Sequence, residues 1–103
     1  MDLKLVDGKE HVRISVEGNV DEVGAKKLEE AFHGLNLASV MTVTLDFKQV
    51  KYIGSAGIGI LLLLYKKLAL HQGKIVIENM PKDIYTLFSQ GMNLGRVFTM
   101  KTL

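Results

Sequence analysis

The sequence predicts an α/β domain, a four- to five-stranded, mostly parallel mixed sheet with helices packed on it. Three observations point there. Residues 11–17, His-Val-Arg-Ile-Ser-Val-Glu, alternate apolar and polar without a break, the period of a half-buried strand. Two more short apolar runs, around Val43-Thr44-Leu45-Asp46-Phe47 and Ile75-Val76-Ile77, are set apart by stretches of helical spacing. The joins between these segments are short, and strand–helix–strand alternation with short joins builds parallel neighbours.

Leu3, Leu5 and Val6 make a first strand, and Asp7-Gly8-Lys9-Glu10 turns it into the second as a hairpin. In the second strand Val12, Ile14 and Val16 share one face, Arg13, Ser15 and Glu17 the other; Gly18-Asn19-Val20-Asp21 is read as its exit. A helix follows over 22–33. Asp21 and Glu22 suit its N-terminus, Gly34 suits its end, and Leu28, Ala31 and Phe32 give it a modest apolar stripe. Val40, Met41, Val43, Leu45 and Phe47 form a central strand, and a short loop carrying Lys48 and Lys51 leads on to Ser55. The second helix runs from there to about His71 and stops at Gln72-Gly73. Lys74-Ile75-Val76-Ile77-Glu78 is nearly continuous in its apolar run, as expected of a parallel strand covered on both faces. Pro81 opens a third helix where its missing N–H costs nothing, with Ile84, Leu87 and Phe88 as the buried side. Gly91–Gly95 is a loop and Val97-Phe98-Thr99-Met100 a last extended segment.

The 103 residues are expected to form one domain spanning 1–103, long enough to bury a core without covalent staples. Hydrophobic residues make up 48% and charged residues 23%, an ordinary globular balance. Cysteine is absent, which removes disulfides and thiolate metal sites and suits a cytoplasmic protein. Met1–Asp7 lacks the basic-then-apolar pattern of a signal peptide. The strongest apolar run, Ile58 to Tyr65, is 8 residues against the roughly 20 that a membrane span needs, so no direct membrane insertion is expected. Net charge is +2 and the lysines are dispersed, without the basic footprint of a nucleic-acid binder.

Catalytic and nucleotide motifs fail on spacing. A nucleophile elbow needs glycine two positions either side of the serine; Gly57 fits Ser55 but Ile53 occupies the other place. His11, His33 and His71 lie on different elements, so no base is paired with Ser55. Gly54, Gly57 and Gly59 run in reverse order to a dinucleotide fingerprint, and no Gly-Lys-Ser/Thr phosphate loop is present. No catalytic residue, metal ligand or cofactor is expected.

Ser55, at the start of a very apolar helix, has two candidate jobs. It can cap the helix, a role worth ~1 kcal/mol, or it can carry a phosphate. A cap does not call for Gly57 and Gly59, each costing ~1 kcal/mol against alanine inside a helix. They make sense if the sheet beneath or a partner above approaches the backbone closely. A helical wheel puts Gly57, Ile60, Leu61, Leu64 and Leu68 on one face, with Ile58 and Tyr65 beside it; Gly59, Leu63, Lys66 and Leu70 point away, with Leu62 at the margin. That outer face is either partly covered by a neighbouring helix or an apolar, lysine-edged patch for a protein partner.

These segments together resemble the STAS domain of bacterial anti-sigma factor antagonists. Gly18-Asn19-Val20-Asp21 is similar to the family's Gly-x-hydrophobic-Asp, Val43-Thr44-Leu45-Asp46-Phe47 to its strand ending in Leu-Asp-Leu, and Ser55-Ala56-Gly57-Ile58-Gly59 to its Ser-Ser/Ala-Gly-Leu-Gly. The short apolar strand, the helix and the Gly-Met…Val-Phe ending follow in the family's order. The resemblance implies a non-enzymatic partner switch: the domain binds an anti-sigma factor that is also a serine kinase, is phosphorylated at Ser55, and is reset by a PP2C-type phosphatase. The expected partner surface is Asn19, Asp21, Gly54, Ser55, Ala56, Gly57, Ile58, Gly59, Leu62, Leu63 and Lys66. Lys48 and Lys51 are either solvated charges or near the phosphate.

The sequence departs from the family pattern in two places. Gly54 stands where phosphorylated members often have Asp, and the usual C-terminal helix is expected to be short or absent, an apolar surface then being covered by a second copy or a partner. The alternative within the family is a non-phosphorylated accessory subunit of a membrane transport system; a nucleotide at the Asn19–Asp21 loop is the other family option, without a phosphate-cradling loop behind it.

Overall fold

The computed structural model describes residues 1–103. Its elements are β1 (Asp2–Gly8), β2 (His11–Val20), α1 (Glu22–His33), β3 (Thr42–Ile53), α2 (Ser55–Ala69), β4 (Lys74–Met80), α3 (Lys82–Thr86), a wide π-type turn (Leu87–Gly91) and β5 (Thr99–Thr102). The strands form one sheet in the order β1-β2-β3-β4-β5. β1 pairs antiparallel with β2, and every later pair is parallel. This is the mixed, mainly parallel α/β sheet that the sequence predicts.

Strand order equals chain order, so all three crossovers progress in one direction. With a right-handed connection each time, every helix lands on the same face of the sheet. The core is accordingly a single layer. Val12, Ile14, Val16, Val43, Leu45, Phe47, Ile75 and Ile77 rise from the strands into it, and Leu28, Phe32, Leu61, Leu64, Leu68, Ile84 and Phe88 come down from the helices. No polar or charged residue is buried. β4 therefore corrects one expectation. Its apolar run does not mean cover on both faces: Ile75 and Ile77 are buried, whereas Val76 and Glu78, which alternate with them, are only half-buried on the other side.

That second face is polar. Arg13 donates to Glu78 Oε1 at 2.6 Å and to Asp46 Oδ2 at 3.1 Å, tying β2 to β3 and β4. Asp46 also accepts from the Lys48 N–H at 3.0 Å and from Asn79 Nδ2 at 3.1 Å. Partial burial pushes the Asp46 carboxyl up, but the bonds from Lys48 and Asn79 and the nearby guanidinium outweigh it and hold the group below its ordinary range. Arg13 is held above its ordinary value, chiefly by its bond to Glu78. Exposed ion pairs of this kind contribute little each, ~0.2–1 kcal/mol.

Two strands run further than their alternation suggests. β2 continues through Gly18, at φ +102°, a backbone state that favours glycine, and resumes pairing to Val20. β3 continues from Phe47 through Lys48 and Gln49 to Ile53, its buried positions shifting from 43, 45 and 47 to 50 and 53. The ladder between the two carries irregularities there, at Ser15/Glu17 and Gly18/Asn19. Lys48 and Lys51 are thus exposed strand residues rather than loop residues. Val40 and Met41 precede β3 rather than belonging to it, and Val97 and Phe98 precede β5, with Phe98 buried in the core.

The helices begin and end near the predicted points. Asp21 caps α1, its carboxylate accepting from the Gly24 N–H at 2.9 Å, and Gly34 closes it. α2 ends at Ala69, after which Gln72 turns at φ +64° and the Gly73 N–H reaches the Leu68 carbonyl at 2.8 Å. α3 opens after Pro81 and buries Ile84, while Leu87, expected on its buried side, is 40% exposed because the chain widens there into the π-type turn. No helix is long and apolar enough to cross a membrane.

Candidate functional site

The site lies where the C-terminal ends of β2 and β3 hand over to α1 and α2. The Gly54 N–H donates to the Val20 carbonyl at 3.0 Å, and the Gly54 carbonyl accepts from Ile58 at 3.1 Å as the first turn of α2. Gly54, not Ser55, is therefore the capping residue of α2, and no side chain caps this helix. Ser55 occupies the first helical position with its side chain exposed. The capping role open to it from sequence is not the one it takes. Its hydroxyl is left free at a helix N-terminus, where unpaired backbone N–H groups favour negative charge.

Ser55 sits in a shallow depression of about 170 Å³ lined by Asp21, Glu22, Tyr52, Gly54, Ser55 and Ala56. Two helix N-termini converge on it, and the charged side chains lining it are Asp21, the cap of α1, and Glu22, its first residue. Lys48 instead lines a separate depression, with Asp2, Lys4 and Gln49.

The glycines separate into different roles. A Cβ on Gly57 would stand 2.6 Å from Val20 Cγ1 and 3.0 Å from Ile53 Cγ1, so its absence lets α2 press onto the sheet. A Cβ on Gly59 would meet nothing within 4 Å. The close approach of the sheet explains Gly57 and leaves Gly59 without a reason inside the fold. At Gly54 a Cβ would stand 2.8 Å from the Tyr52 hydroxyl and 3.3 Å from the ring carbon that bears it.

The expected partner surface is corrected in two positions. Gly57 and Ile58 are buried, facing the sheet and the core, and cannot present themselves to a partner. The others stay accessible to varying degrees. Ser55, Gly59 and Lys66 are exposed, Leu63 is 41% exposed, and Ala56 and Leu62 are half-buried, with Leu62 packing against the core at the margin of the helix. Asn19 is exposed on the rung of the β2–β3 ladder opposite Tyr52, and Asp21 is exposed while capping α1. The outer face of α2 thus reads Ser55, Gly59, Leu63, Lys66 and, one turn on, Leu70, which is 81% exposed. α1 covers it only along one side, where Leu63 borders a groove with Glu29, Phe32, His33, Leu37 and Lys67. Sequence reasoning missed Tyr52 and Glu22 as members of the site. The signal for Glu22 was present in its neighbour Asp21; that for Tyr52 is spatial only.

A family model described as "Mlab, STAS domain" matches residues 4–97. The anti-sigma-B factor antagonist of Listeria monocytogenes is 27% identical over 79 residues, covering 77% of this chain and 69% of that protein. Among solved structures, an anti-sigma factor antagonist from Mycobacterium paratuberculosis superposes with a TM-score of 0.76 at 24% identity, covering 99% of this chain and 86% of the other. The Bacillus cell fate determinant SpoIIAA in its phosphorylated form does so with a TM-score of 0.75 at 20% identity, covering 98% and 92%. The two structures establish a shared fold.

Proposed function

The chain belongs to the STAS domain family, and on that premise we propose that it is an anti-sigma factor antagonist: a regulatory binding protein that engages a serine-kinase anti-sigma factor through the outer face of α2 and is released by phosphorylation at Ser55. A PP2C-type phosphatase restores the binding form. The observation that carries the reading is the free hydroxyl of Ser55 at the head of an exposed stripe running through Gly59, Leu63 and Lys66. The naming of the Listeria relative as an antagonist agrees with it.

The chemistry of such a switch follows from the surroundings. A phosphate adds about −1.5 to −2 charges and strong acceptor oxygens. The N-terminus of α2 tolerates that charge, so the fold survives. The carboxylates of Asp21 and Glu22 repel it, and no lysine or arginine lines the depression to draw it inward. The group therefore stands out over α2, where a partner packing on Leu63 would have to strip its water. Modification at Ser55 blocks association without remodelling the domain.

The test is incubation with the candidate anti-sigma factor kinase and ATP, followed by mass spectrometry of the wild type and Ser55→Ala. One phosphate is expected on the wild type and none on the variant. The unmodified wild type binds the kinase, and Leu63→Glu folds but does not bind. Phosphate on another residue, or a kinase that binds the chain and leaves Ser55 unmodified, removes the switching mechanism. Stable association with a transporter subunit, with Ser55 unmodified, establishes the transport-accessory role instead.

A further inference from the structure

We propose that Tyr52 is a specificity-determining residue of this surface, read by the partner beside Ser55, and that position 54 is glycine because the Tyr52 ring occupies the place of a side chain there. This rests on the antagonist reading above and names what the partner recognises.

The chain has four phenylalanines and three tyrosines. Phe32, Phe47, Phe88 and Phe98 are buried, and Tyr65 and Tyr85 pack against the core. Tyr52 alone is exposed, at 55%. An aromatic ring left in water is the residue type that most often anchors a protein interface, where it is finally dehydrated. Tyr52 lies in the wall of the Ser55 depression, on the last rung but one of β3, opposite Asn19.

The ring is folded back over the backbone of Gly54. Its hydroxyl lies 2.8 Å, Cζ 3.3 Å and Cε2 3.4 Å from where a Cβ would stand. Any side chain at 54 therefore displaces the ring. The atoms displaced are the far end of an exposed side chain, so displacement changes the surface and leaves the core alone. Residues 52 and 54 form one unit: the glycine keeps the ring folded down, and the folded ring gives the partner a preorganised apolar face next to the serine. Preorganisation lowers the ordering cost of binding.

The experiment is calorimetric titration of the purified anti-sigma factor into the full chain and its Tyr52→Ala, Gly54→Ala, Tyr52→Phe and Tyr52→Ala/Gly54→Ala variants, with thermal melting of each. Tyr52→Ala is expected to weaken binding at least about ten-fold with an unchanged melting temperature, and Tyr52→Phe to bind within a few-fold of wild type. Gly54→Ala weakens binding because the ring is displaced, and the double variant binds no more weakly than Tyr52→Ala alone. In Gly54→Ala the ring proton resonances of Tyr52 shift, a readout that needs no partner. Wild-type affinity in Tyr52→Ala, additive losses in the double variant, or unshifted resonances overturn the inference. Should Tyr52→Ala fail to fold, Gly54→Ala, which keeps the tyrosine, decides by the same two readouts. If the wild type itself does not bind, the antagonist reading falls and this one with it. If the wild type binds, Leu63→Glu does not, and Tyr52→Ala binds like the wild type, the antagonist reading stands and this inference alone fails.

Discussion

Gly59→Ala should make the domain more stable and a worse binder. Gly59 is the fifth residue of α2 and is exposed, and an added methyl would meet nothing within 4 Å. No packing term opposes the change, so the gain is the helix propensity difference, about 1 kcal/mol. For a domain of this size that raises the melting temperature by roughly 4–8 °C. Gly57→Ala is the internal contrast. It has the same propensity gain, but its methyl would lie 2.6 Å from Val20 Cγ1 and 3.0 Å from Ile53 Cγ1, both in the core. Overpacking costs about 1–3 kcal/mol, which leaves a net loss of up to about 2 kcal/mol. Urea unfolding followed by far-UV circular dichroism measures both. The same Gly59→Ala protein, titrated against the anti-sigma factor, should lose affinity by about ten-fold, equivalent to ~1.4 kcal/mol of contact. A destabilised Gly59→Ala, or a stabilised Gly57→Ala, would refute the steric reasoning. A Gly59→Ala that is more stable and binds as well as wild type would refute the functional reason for the glycine.

Ser55→Ala should leave stability within about 0.5 kcal/mol of wild type, because the hydroxyl caps nothing; a loss near 1 kcal/mol in the same urea assay would restore it as a cap. Asp21→Ala should cost about 1 kcal/mol through the lost bond to the Gly24 N–H, visible as a lower urea midpoint at unchanged slope. Asp46 titrates below its unfolded value of about 3.9 in the folded state, so its contribution is complete above that value and is lost as pH falls through the folded value. Asp46→Asn should therefore lose less stability than wild type as pH falls below about 5, and parallel acid limbs would contradict the role assigned to the Arg13 cluster.

Much of this fold was legible because its strands obey simple periods. Val12, Ile14 and Val16 alternate cleanly, and Asp21 and Gly34 mark α1 at both ends. Where the period breaks, at Gly18 and at Lys48-Gln49, the alternation predicts shorter strands than the fold has, because a bulge slips the register and looks like a loop in one dimension. β4 misled for another reason: Val76 is apolar yet faces outward, and only the strand order reveals that the helices share one side. The serine was legible and its job was not, since the first helical position and the cap differ by one residue and by where the hydroxyl points. Tyr52 was invisible as a site residue, because its meaning lies in a ring-to-backbone distance across Gly54.

The identity of strand order and chain order bears on how the domain can be made. Every strand joins an edge that its immediate predecessor has just completed, and none has to be inserted between two already paired. Starting from the β1–β2 hairpin, the sheet can grow in the direction of synthesis, each crossover helix closing over the strand before it. Ser55 would be displayed once α2 settles on β3, before β4 or β5 has been added.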